Sequence, residues 1–183
     1  MSQTPDMSVG TRRVMMKAKR YAQDYKHDFI TTEHILLSIL ETDRPVKGIQ
    51  IIKELEIDIK DFRDFVMDSL GKYKGDKTPE LKDIEPSARV LKMLSYAGAI
   101  AKEMKTELVS IDHVLLSILV SDAGSGNNLF RLKNIDVNFL YELIYAEIQP
   151  PKRTRKRNKA KQTTTDTSRG PTEMAESQAK VLE

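Results

Sequence analysis

The chain has 183 residues, 39% of them apolar, with 30 Lys or Arg against 27 Asp or Glu, roughly one domain's length. The totals hide a break: residues 1–149 hold 66 of the 72 apolar residues and every aromatic at a net charge of −2, whereas 150–183 hold six apolar residues at +5. The first part has the apolar surface to bury a core and the last 34 residues do not. The absence of cysteine rules out a disulfide framework, a thiolate metal site and a cysteine nucleophile.

In chain order, residues 1–7 read as a flexible N-terminus. Val14, Ala18, Tyr21, Ala22 and Tyr25 then recur at three- and four-residue spacing, one apolar stripe along a helix. A second helix starts near Thr31-Thr32, whose hydroxyls suit an N-cap. Its body, Ile35-Leu-Leu-Ser-Ile-Leu40, is apolar nearly all round and should be buried, with Leu37 at its centre. A short helix on Ile49, Ile51, Ile52 and Leu55 and a fourth on Ile59, Phe62, Phe65, Val66 and Leu70 complete a unit over 8–70. Residues 71–86, rich in Lys, Gly and Pro, read as a linker.

The pattern then returns. At a shift of 79, Phe29–Leu40 falls on Leu108–Leu119 with six of twelve positions identical. Ala18 and Ala22 fall on Ala97 and Ala101, and Ile57-Asp-Ile59 on Ile135-Asp-Val137 after a one-residue deletion. Residues 87–148 are thus a second copy, with Leu116 central and its second helix starting at Ser110. No stretch alternates with the period of a strand. The expected fold is all-α, a pseudo-twofold tandem repeat of two four-helix units, about eight helices, followed by a disordered basic and polar tail over 149–183.

Few motifs carry chemistry. His34 and His113 occupy equivalent positions and His27 stands alone; none has the one-turn spacing of HExxH, so they read as helix-start histidines rather than metal ligands. Glu33 and Asp112 precede the paired histidines in the first turn of a helix, where the dipole favours an acid. Their alternative role is a pair of carboxylates, one per copy, facing a cation such as guanidinium. Gly71-Lys-Tyr-Lys-Gly-Asp-Lys-Thr78 is not a phosphate loop, because Asp76 separates Gly75 from Lys77. No catalytic constellation is visible, and the expectation is that this chain is not itself an enzyme. Residues 150–161 carry seven cations in twelve with no aromatic for base stacking, the composition of a solvated linker rather than a nucleic-acid arm. No apolar run approaches the roughly 18–20 residues of a membrane span, and the first residues lack the pattern of a signal peptide. A cytoplasmic location is expected, with no membrane partner.

The duplicated Thr31-Thr-Glu-His-Ile-Leu-Leu-Ser-Ile-Leu40 and Ser110-Ile-Asp-His-Val-Leu-Leu-Ser-Ile-Leu119 resemble the double Clp N-terminal (Clp repeat) domain of AAA+ protein unfoldases, most closely of the ClpC type. The resemblance covers residues 8–148. It implies an N-terminal fragment plus linker of an ATP-dependent unfoldase, leading to an ATPase domain beyond the chain. It also implies no cofactor here, ATP and Mg belonging to that motor. Its partners would be unfolded or marked substrate proteins, adaptors, and a ClpP-type peptidase reached through the parent hexamer. In some relatives the motif acid receives the guanidinium of phosphoarginine and a hydroxyl at the start of the first helix touches its phosphate. By position those residues are Glu33 and Asp112 for the acids, and Ser8 and Ser87 for the hydroxyls. The chain departs from the pattern in lacking a helix-start aromatic near Met7-Ser8, in Ile111 for the motif Thr, and in Asp112 for Glu. Two other readings remain: a free-standing Clp-repeat accessory protein without its own motor, and a helical nucleic-acid-binding protein using the basic tail.

Overall fold

The computed structural model describes residues 4–121 and 125–152. Two runs of four helices follow one another: α1 (Val9–Asp24), α2 (Thr32–Leu40), α3 (Lys47–Glu54) and α4 (Ile59–Gly71), then α5 (Ala88–Glu103), α6 (Ile111–Val120), α7 (Ser125–Leu132) and α8 (Val137–Ile148). Helix starts follow the hydroxyl and carboxylate caps of the sequence: Ser8 accepts from Thr11 N–H and Ser87 from Val90 N–H, while Asp58 and Asp136 open α4 and α8. Turns leave through residues in the left-handed region at Lys26, Glu56, Lys105 and Asn134, again in pairs 78 or 79 apart.

As the uninterrupted apolar runs foretell, α2 and α6 are the buried centre, with Leu36, Leu37, Leu115 and Leu116 fully enclosed. Each first helix lays Val14, Ala18 and Ala22, or Val90, Ala97 and Ala101, against its own central helix.

The copies interlock. The third helix of each reaches the other copy: α3 lies against α6 and α8, and α7 lies between α2 of the first copy and α6 and α8 of its own. Phe62 of α4 and Phe130 of α7 meet at 4.8 Å between ring centroids. One core cluster therefore spans both copies.

The structure also holds short extended pairings that no alternation announced. Two-residue strands β1 (Phe29–Ile30) and β2 (Glu85–Pro86) pair in parallel, and Met7 bridges Val109 in the equivalent place. These are too short for a period-two pattern to register, and the chain remains all-helical in class. In each case the residues before one copy's first helix pair with those before the other copy's second helix.

The segment joining the copies is pinned to the body. Gly75 N–H donates to Tyr25 O, Gln23 donates to Pro79 O, and Leu81–Asp83 form one 3₁₀ turn. A Cβ on Gly75 would collide with Lys26 O, so only glycine fits there. No helix among the described residues is long and apolar enough to cross a membrane.

Candidate functional site

The candidate residues lie at helix starts along the seams between the copies. At the first seam, Ser8 N–H donates to Val109 O at 3.0 Å and Val109 N–H donates to Asp6 O at 2.8 Å. Thr11 Oγ1 donates to the same Val109 carbonyl at 2.8 Å, and Ser8 Oγ lies 2.8 Å from that hydroxyl. The start of α1 is thereby fixed against the start of α6. Arg44 lies over the first turn of α1, its Cδ 3.1 Å from where a Cβ of Gly10 would stand. A cavity of about 270 Å³ opens between them, lined by Ser8, Gly10, Arg44, Ser110, Ile111 and Asp112 among others. Ser8 of the first copy and Asp112 of the second thus share one site.

Asp112 has a structural task there. Its Oδ1 accepts from Gly48 N–H at 2.7 Å and its Oδ2 from Lys47 N–H at 3.2 Å. The residue preceding α3 is Val46, which has no side chain to cap it, so the carboxylate of the opposite copy supplies the acceptor. The aspartate, one methylene shorter than the expected glutamate, is what reaches these amides. Each of its oxygens keeps a second lone pair for a further donor.

The second seam repeats the design with different residues. Ser87 caps α5, and its N–H donates to Ile30 O at 3.0 Å, three residues before Glu33. Thr32 Oγ1 accepts from Gly126 N–H, at 2.9 Å, at the start of α7. Glu33 follows it, half-buried in the first turn of α2. Gly48 and Gly126 are the residues that sequence reasoning missed. A Cβ on Gly48 would run into Leu115 and approach Asp112 Oδ1 to 3.1 Å, and one on Gly126 would stand 3.2 Å from Thr32 and Ile118. Their spacing of 78 residues, at the start of both third helices, was the available signal.

The histidines are helix-start residues whose rings close the caps. Thr31 N–H donates to His34 Nδ1 at 2.8 Å and Ser110 N–H to His113 Nδ1 at 3.0 Å. With Nδ1 accepting, the proton of His34 sits on Nε2 and points to His27 Nδ1 at 2.8 Å; His27 Nε2–H then donates to Tyr73 O at 2.8 Å. Burial first, and His27 second, push the His34 pKa down to about 3, while burial lowers that of His113 against the opposing pull of Asp112. Both imidazoles are neutral structural groups. Among the described residues no group of three or more His, Asp or Glu side chains is placed to hold a metal ion.

Comparison with known proteins agrees with this architecture. Residues 6–135 match the family of the Clp repeat (R) N-terminal domain. The chaperone protein ClpB of Bacillus cereus is 28% identical over 142 residues, covering 75% of this chain but 16% of that protein. The chain thus spans about a sixth of the length of this curated relative. The crystal structure of the Hsp104 N-terminal domain from Candida albicans superposes with a TM-score of 0.66 at 20% identity, covering 78% of this chain and 90% of that one. A ClpV N-domain, solved in complex with VipB peptide, superposes with a TM-score of 0.57 at 16% identity, covering 79% of this chain and 91% of that one. The two solved structures share the fold. With the family matched over most of the folded part and both copies of its repeat in place, this chain belongs to the Clp repeat N-terminal domain family.

Proposed function

We propose that this chain is the substrate- and adaptor-recognition domain of a Clp-family ATP-dependent unfoldase and itself catalyses no reaction. The observation that carries this is the seam between the copies, where backbone donors, hydroxyls and a carboxylate converge on an open cavity. The peptide held by the ClpV N-domain of the same fold supports peptide binding here. ATP and Mg would act in the parent's motor domains, and a ClpP-type peptidase would be met through the parent hexamer in the cytoplasm.

The finer reading is that the seam accepts phosphoarginine-marked proteins. At the first seam the Arg44 guanidinium and the start of α1 suit a phosphate, and the remaining lone pairs of Asp112 suit the guanidinium of the ligand. Ser87 and Glu33 are the corresponding residues of the second seam.

Two titrations test the two levels. Fluorescence anisotropy of the full chain with reduced, carboxamidomethylated lysozyme should show binding that native lysozyme does not share; equal indifference to both would sink the recognition role. Calorimetry with free phosphoarginine should give heat that Arg44→Gln and Asp112→Asn each weaken about tenfold, the loss of one charge-assisted contact. No heat at millimolar ligand removes the phosphoarginine reading and leaves the broader one standing.

A further inference from the structure

The outward face of α1 carries charges that its fold does not need. At 100° per residue, Val9, Arg12, Arg13, Met16 and Arg20 share one face, flanked by Lys17 and Lys19. All five are exposed, Met16 to 61%. The duplicate helix is an internal control. The positions of α5 equivalent to Arg12, Arg13, Lys17, Lys19 and Arg20 are Leu91, Lys92, Tyr96, Gly98 and Ala99, one cation in place of five. Since α5 packs on its central helix as α1 does, packing does not explain the difference except at Gly98, where Pro5 lies against the helix.

The local physics runs against the cluster. Arg13, Lys17 and Arg20 succeed one another at four and three residues, where like charges destabilise a helix. Lys17 is answered by Glu41, 3.3 Å away and shared with Arg63. Arg12, Arg13, Lys19 and Arg20 form no ion pair within 4 Å among the described residues. Beside them lies a hollow of about 420 Å³ lined by Arg13, Met16, Lys17, Arg20, Tyr21 and Asp24. Clustered, unanswered charge around an exposed apolar side chain, kept against local preference, marks a surface under functional demand.

We infer that this face of α1 docks a short acidic segment of a partner protein, its carboxylates on Arg12, Arg13 and Arg20 and an apolar side chain against Met16. The occupant follows from charge. Residues 1–149 sum to −2 and α1 alone, five cations against Asp24, to +4, so the remainder of the folded part is −6. A polyanion or an anionic vesicle extends past the patch and meets that negative remainder within a Debye length, about 8–10 Å. A segment of four or five extended residues matches the roughly 12 Å from Arg12 to Arg20 and no more. The inference deepens the proposed recognition role by naming a partner chemistry and a surface that adjoins the seam cavity at Val9 and extends away from it along α1.

The test is anisotropy of the full chain with a fluorescein-labelled octapeptide whose central five residues are four glutamates around one leucine, flanked by glycine and serine. Binding should be strong at low salt and fall as salt rises. Arg12→Gln/Arg13→Gln/Arg20→Gln should weaken it about tenfold, three exposed charge contacts together. Met16→Ser should weaken it a few-fold through lost apolar contact. The controls Lys92→Glu on α5 and Arg153→Ser/Arg155→Ser/Arg157→Ser in the basic tail should change it less than about twofold, and no variant should melt appreciably below the parent chain. Octapeptide binding that ignores the α1 variants, or that is lost with the tail variant, overturns the inference. So does tighter binding, with the same variant dependence, of single-stranded DNA or phosphatidylserine vesicles. Unfolded lysozyme, itself cationic, should bind the α1 variants unchanged, so failure here is distinguishable from failure of the recognition role.

Discussion

Buried at the start of α2, the ring of His34 is fully enclosed and takes part in a directed chain from Thr31 N–H through His27 to Tyr73 O. Protonation would put a hydrogen on Nδ1, where the Thr31 amide already donates, so the fold holds the ring neutral down to about pH 3. The unfolded chain takes up that proton below about pH 6.5. Stability from this residue is therefore complete above pH 6.5 and is lost as pH falls toward 3. The loss should reach roughly 2 kcal/mol by pH 5 at 1.4 kcal/mol per unit, and His113, shifted the same way, adds to it. Urea melts at pH 7 and pH 5 check this. His34→Gln, which keeps an acceptor for the capping box, should shrink the difference, and equal losses in both proteins would contradict it. The sequence placed His34 and His113 at helix starts and dismissed them as metal ligands. It did not show that the rings themselves are the cap partners, because a capping box is ordinarily recognised by Glu or Gln at that position. Nor could spacing pair His27 with His34 across a turn.

At the scale of elements, the third helices carry what periodicity could not reveal. Ile49, Ile52 and Leu55 mark α3 as amphipathic, but a stripe does not name the surface that receives it. The receiving surface belongs to the other copy, and the contact is made close by Gly48 and capped by Asp112. The candidate acids were legible as a pair in the repeat; that Asp112 serves α3 in the opposite copy was not, since the pairing depends on tertiary approach. Gly48→Ala tests this contact. Its methyl would enter the enclosed space held by Leu115 and Ile144, an overpacking that should cost about 1–3 kcal/mol in urea melts. Gly71, with open space around it, is the matched control, and Gly71→Ala should leave stability nearly unchanged. Helix propensity favours alanine at both positions, so a Gly48→Ala variant no less stable than Gly71→Ala would show that the crossing of α3 sets no cost.

Over the whole molecule, the duplication visible in the sequence suggests two units, and the structure makes them one folding entity. Among the described residues, eight helices in two runs of four, two buried central helices and paired caps all follow from periodicity and capping residues. The interlock does not, because no local pattern says which copy α3 or α7 joins. Its consequence is cooperative: α3 buries its apolar face, and α7 reaches α2, only when both copies are present, and Phe62 loses its ring partner without Phe130. Leu37 and Leu116, both fully buried at equivalent positions, should therefore report on the same transition. Leu37→Ala and Leu116→Ala should each cost roughly 2–5 kcal/mol and shift a single melt rather than splitting it. Residues 1–78 alone retain α1, α2 and α4 but leave the apolar stripe of α3 and the exposed flank of α2 without a partner. That half should show no cooperative thermal transition by circular dichroism, and mixing it with residues 79–152 should restore one. A cooperative melt of either half alone would mean that each copy closes its own core and that the crossing of the third helices is dispensable.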